Sequence, residues 1–84
     1  MPWLVYLKDG KWKAIGPIMY LKSSAFEPQG VVGYTEEEFA KLPNGQDVAM
    51  TVNESDLSDL GKSYFANLIG RGTLLITAKK VGRK

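Results

Sequence analysis

The chain contains neither cysteine nor histidine in its 84 residues. Without thiols it forms no disulfide and holds no thiolate-bound zinc or iron–sulfur centre. Without imidazole it lacks the commonest metal ligand and the commonest general base near neutral pH. Long apolar runs are missing too, with nothing near the ~18–20 residues of a membrane-spanning helix. The opening MPWLVYL is too short for a secretory leader and has no basic residues ahead of it. A cytoplasmic, non-enzymatic protein is therefore expected, with no cofactor, no metal and no membrane partner. Asn53-Glu54-Ser55 matches a glycosylation acceptor, which is incidental in a chain without a leader. Internal repeats and low-complexity tracts are also absent, so residues 1–84 read as one domain with residues 80–84 as a flexible basic tail.

What is present is globular in composition: 44% hydrophobic, with three Phe, four Tyr and two Trp. A chain of this length buries a modest core, and without disulfide or metal its remaining route to extra support is association. The net charge of +2 conceals a segregation. Residues 1–26 carry four Lys and one Asp, residues 27–63 eight acids and two Lys, and residues 64–84 five bases and no acid. Such a distribution leaves room for a basic face without indiscriminate polyanion binding.

Residues 2–8 are rich in β-branched and aromatic types and read as a strand. Asp9-Gly10 follows, a pair suited to the positive φ angles of a type I′ turn, and KWKAI returns as the second strand. That register places Trp3, Val5, Leu7, Trp12 and Ala14 on one face, and Leu4, Tyr6, Lys13 and Ile15 on the other. Gly16-Pro17 interrupts the strand, and IMYLK then resumes extended character. SSAFEPQG is a loop. Gly30-Val31-Val32-Gly33 reads as a connection into the first helix. It looks like the short loop with which KH domains clamp a nucleic-acid backbone, but no helix precedes it.

Thr35 with Glu38 three residues later spells a capping box, and Tyr34 with Phe39 a hydrophobic staple. Leu42-Pro43-Asn44-Gly45 stops this helix within about two turns. QDVAMTV alternates as a strand. Leu57, Leu60, Tyr64, Phe65, Leu68 and Ile69 form an apolar stripe at helical period, predicting a longer second helix with Leu60, Phe65 and Leu68 on its core side. Asn53 or Ser55 would cap it, and Gly70 would close it. Residues 73–79 are apolar enough for a central strand. The fold class expected is α+β: a mostly antiparallel sheet of about four strands, an N-terminal hairpin followed by α-β-α-β, and two helices.

Several motifs fall away on inspection. Gly61-Lys62-Ser63 suggests a phosphate loop, but the required upstream Gly is Asp56 and the segment is helical. Glu36, Glu37 and Glu38, like Glu54, Asp56 and Asp59, sit where helix N-termini favour acids, so neither cluster reads as a cation site. The most suggestive constellation is Trp3, Tyr6, Trp12 and Tyr20 interleaved with Lys11, Lys13 and Lys22. A single-stranded nucleic-acid platform uses aromatics and bases in this way, though so small a domain needs its large side chains inside. Lys79, Lys80, Arg83 and Lys84 add a second basic element. These eleven residues are the candidate interaction set.

The function expected is a non-catalytic protein–protein interaction or assembly module, with a protein partner or self-association. The alternative is a small nucleic-acid-binding domain. Small chains lacking cysteine and histidine are common among bacteriophage accessory and virion proteins. That association widens the expectation to a viral structural subunit or host-directed regulator, in the cytoplasm or the virion.

Overall fold

The N-terminal hairpin forms as its turn chemistry requires. Strands β1 (Leu4–Lys8) and β2 (Lys11–Ile15) pair antiparallel with Lys8 opposite Lys11, Leu7 opposite Trp12 and Val5 opposite Ala14. Asp9 and Gly10 occupy the loop at φ 54° and 73°, the positive values that a type I′ turn demands. The computed structural model describes residues 2–82.

The sheet has six strands, not about four. Beyond the hairpin lie β3 (Ala25–Phe26), β4 (Val31–Val32), β5 (Asp47–Asn53) and β6 (Thr73–Lys80), in the order β3-β2-β1-β6-β5-β4. Neighbours pair antiparallel except β1 and β6, which run parallel at the centre. The two additional strands are two-residue edges, too short for any alternation to mark them. They are strands because β2 and β5 offer them backbone partners. The segment expected as a simple connection into the first helix is thus β4.

This topology forces the sheet to curl. β3 and β4 lie at opposite edges, yet only residues 27–30 join them. A flat six-stranded sheet spans ~24 Å across its five gaps, whereas so short a link reaches at most ~18 Å. The edges must approach each other as in an open barrel, and Pro28 is buried in the link that crosses the seam. The inner face carries Val5, Ala14, Val31, Val48, Met50, Val52, Leu74 and Ala78, all buried. Phe39 and Leu57, from outside the sheet, close this core.

Helix α1 (Glu36–Ala40) starts with the expected capping box, Thr35 accepting from the Glu38 amide while Glu38 accepts from the Thr35 amide at 2.9 Å. Its other end is closed by Lys80. That ammonium donates to the carbonyls of Ala40, at 3.0 Å, and Leu42, and lies 5.4 Å from the centre of the Phe39 ring. Lys80 is only 8% exposed. It is the last residue of β6 and not the start of a loose tail, because a cation is favoured at a helix C-terminus whose carbonyls lack amide partners. Replacing Lys80 by Met should cost about 1.5–3 kcal/mol, the range for hydrogen bonds to charged groups. Urea denaturation of the two proteins measures it.

The second helix departs most from expectation. α2 (Asp59–Tyr64) is capped by Ser58, whose hydroxyl accepts from the Gly61 amide at 3.2 Å, and not by Asn53 or Ser55. Glu54–Asp56 instead forms a 3-10 turn. Beyond the helix the positive φ angles fall at Arg71 and Gly72, not at Gly70. IMYLK is not extended: Ile18–Tyr20 is another 3-10 turn, begun by Pro17 at φ −57°. Proline presets that angle, and the Tyr20 and Leu21 amides then bond back to the Pro17 and Ile18 carbonyls.

Candidate functional site

The eleven candidate residues do not form a single platform. Trp3 and Trp12 belong to the inner face. Trp3 lies edge-on to Phe26 at 6.3 Å and presses on Gly16, where an added Cβ would meet its ring at 2.3 Å. Trp12 lies edge-on to Phe39 at 4.9 Å. Tyr6 is on the outer face, opposite Lys13 across the hairpin. Lys13 pairs with Glu27, and this contact holds the Glu27 carboxyl below its usual pKa. Lys79 pairs with Asp47 at 2.8 Å. Lys11 and Lys22 are exposed, 3-10 residue Tyr20 stacks on α2, and Lys80 is the buried helix cap. Arg83 and Lys84 lie outside the described residues.

The apolar stripe of α2 splits in two. Leu57, Gly61, Phe65 and Ile69 form the inward row at four-residue spacing, with Leu57 and Gly61 buried and Phe65 and Ile69 partly so. Leu60, Tyr64 and Leu68 form a second row that faces outward. This overturns the expectation that Leu60 and Leu68 line the core. The 3-10 residues Ile18 and Met19 are open as well. All five side chains are 55–70% exposed: Ile18 and Met19 on the 3-10 turn, Leu60 and Tyr64 on α2, and Leu68 in the turn that follows α2.

Those two elements are bolted together through backbone. The Ser58 amide donates to the Tyr20 carbonyl at 3.0 Å, and the Ser58 hydroxyl donates to the Met19 carbonyl at 2.7 Å. The Lys22 amide donates to the Asp56 carbonyl at 3.0 Å, and Leu21 bridges to Leu57. Gly61 permits this approach, since a Cβ there would fall 2.3 Å from the Tyr20 carbonyl oxygen. Tyr20, Tyr64 and Phe65 complete the joint as a three-ring cluster with centroids 4.9–5.2 Å apart. The exposed side chains thus stand on a rigid base. Val32 and Leu75, also exposed, are by contrast spaced among Ala49, Thr51 and Thr77 on the outer sheet face.

Sequence reasoning misses Leu60, Tyr64, Leu68, Ile18 and Met19 as a site, because periodicity alone cannot say which of two adjacent helical rows faces inward. The available signal is Gly61, whose missing side chain marks the row of closest approach. Among the described residues no helix is long and apolar enough to cross a membrane. The chain matches no protein family, curated protein or solved structure, so function is argued from this geometry.

Proposed function

We propose that this chain is a non-catalytic docking module that binds another protein through the joined face of Ile18–Tyr20 and α2. The observation that carries the reading is the exposure of Ile18, Met19, Leu60 and Tyr64 on two elements bonded together through backbone, with Leu68 exposed in the turn just after α2. Contiguous apolar patches of this kind mark interaction sites, whereas singly scattered apolar residues need no explanation. Tyrosine at the middle of the cluster supports it further, since tyrosine is enriched among residues that dominate binding energy. The nucleic-acid alternative draws on Tyr6, Lys11, Lys13, Tyr20, Lys22 and Lys79. Lys13 and Lys79 already have carboxylate partners, which weakens any claim on phosphate.

The test is a Leu60→Asp/Leu68→Asp variant. Both positions are exposed, so its thermal stability should match the wild type within about 0.5 kcal/mol per site. Its capture of protein partners from nuclease-treated extract should be lost. Salt-steep binding of single-stranded oligonucleotides, unchanged in this variant, would favour the alternative.

A further inference from the structure

We infer that Met19 is a reversible oxidation site, whose sulfoxide takes an apolar anchor out of the face formed by Ile18–Tyr20 and α2 and so releases the partner. This rests on the docking reading above and adds its regulation. The chain has three methionines and no cysteine, so thioethers are its only sulfur open to two-electron oxidation. The two methionines among the described residues stand at opposite extremes. Met50 is 0% exposed, on the inner face of β5, and Met19 is 57% exposed. An oxidant in solution reaches Met19 directly, whereas it reaches Met50 only when the sheet opens. The backbone that presents Met19 is fixed as well. Pro17 starts the 3-10 turn, and the Ser58 hydroxyl donates to the Met19 carbonyl at 2.7 Å.

The step balances with a hydroperoxide as the oxidant. The Met19 sulfur attacks one peroxide oxygen, the O–O bond breaks and an S–O bond forms, and with hydrogen peroxide the leaving product is water. Sulfur loses two electrons and the peroxide gains them. Reduction by a dithiol returns the thioether, with a disulfide and water as products. What changes is the property that docking uses. A flexible apolar side chain becomes polar, with an oxygen that needs a hydrogen-bond donor. Buried against a partner without one, that oxygen opposes binding. The fold is spared, because what ties Met19 to the Ser58 cap of α2 is its carbonyl and not its side chain. Docking in turn covers the sulfur, so the free protein is the form that oxidises.

The three methionines fall on separate tryptic peptides, residues 1–8, 14–22 and 42–62, so mass spectrometry reads each one after dosing with hydrogen peroxide. Gain of an oxygen on residues 14–22 should run at least about tenfold ahead of that on residues 42–62. Protein carrying Met19 sulfoxide should keep the wild-type melting temperature and elute earlier from a phenyl column. Its capture of protein from nuclease-treated extract should weaken about tenfold, the scale of burying an unpaired polar group. Methionine sulfoxide reductase with dithiothreitol should restore both retention and capture. Met19→Leu should show no difference between its treated and untreated forms, and Met19→Gln should behave like the oxidised wild type. Equal oxidation of the two inner peptides would overturn the inference. So would Met19 sulfoxide with undiminished retention and capture, or a Met19→Leu protein that still responds to peroxide. Capture unchanged by the sulfoxide but lost in Leu60→Asp/Leu68→Asp removes the regulation and leaves the docking reading standing. Capture indifferent to both removes both.

Discussion

Phe39→Ala is expected to bring the protein close to the edge of folding. Phe39 is 1% exposed and closes the core from α1. Its ring lies edge-on to Trp12 and beneath the Lys80 ammonium. Truncating a buried Phe costs about 3–5 kcal/mol, and a chain of this size has only ~4–13 kcal/mol in total. Three effects add here: lost burial, a cavity where sheet and helix meet, and loss of the ring that the Lys80 ammonium overlies. The melting temperature should fall by at least ~12 °C, since each kcal/mol shifts a domain of this size by ~4–8 °C. Tryptophan emission, from Trp3 and Trp12 together, should follow the same loss in a urea titration. A midpoint within experimental scatter of the wild type would show that α1 does not close the core.

Gly61→Ala is the second large effect, and it separates two principles by sign. Alanine in place of glycine inside a helix should stabilise by about 1 kcal/mol on propensity alone. Packing predicts the opposite. The new Cβ would sit 2.3 Å from the Tyr20 carbonyl oxygen and 3.0 Å from its carbon, both backbone atoms. Relief requires moving α2 away from Ile18–Tyr20, which stretches the Ser58 bonds to the Met19 and Tyr20 carbonyls. A net loss of about 3 kcal/mol is expected, the upper part of the usual overpacking range. Chemical denaturation measures it, and a Gly61→Ala protein more stable than the wild type would contradict the observed joint.

Much of the fold is legible where the determinants are local. Asp9-Gly10 specifies its turn by backbone conformation, and Thr35 with Glu38 specifies a helix start by reciprocal hydrogen bonds. Residues 73–79 read as a central strand because they are so apolar, and β6 does lie between β1 and β5. Two failures are local, the 3-10 turn set by Pro17 and the cap supplied by Ser58; the rest are tertiary. Two-residue strands have no pattern of their own and exist only beside β2 and β5. Lys80 looks like part of a basic terminus because nothing near it in sequence reveals that the carbonyl end of α1 lies within reach. The stripe on α2 reads as one face because its two rows are adjacent, and only contact with Tyr20 determines which of them turns inward. The same ambiguity obscures the candidate site: Tyr20 stands out for its aromaticity, whereas periodicity assigns Leu60, Tyr64 and Leu68 together to the core face.

Docking through Ile18–Tyr20 and α2 is tested most directly by amide hydrogen exchange of the wild type, alone and in complex with the protein it captures from nuclease-treated extract, read by mass spectrometry. The account predicts slower exchange in the complex in peptides covering residues 17–22 and 57–69, with the hairpin tip at residues 8–11 and the outer sheet face unchanged. Slowing at residues 4–15 and 73–79 instead, with no change across residues 57–69, would place the contact on the sheet and contradict the account.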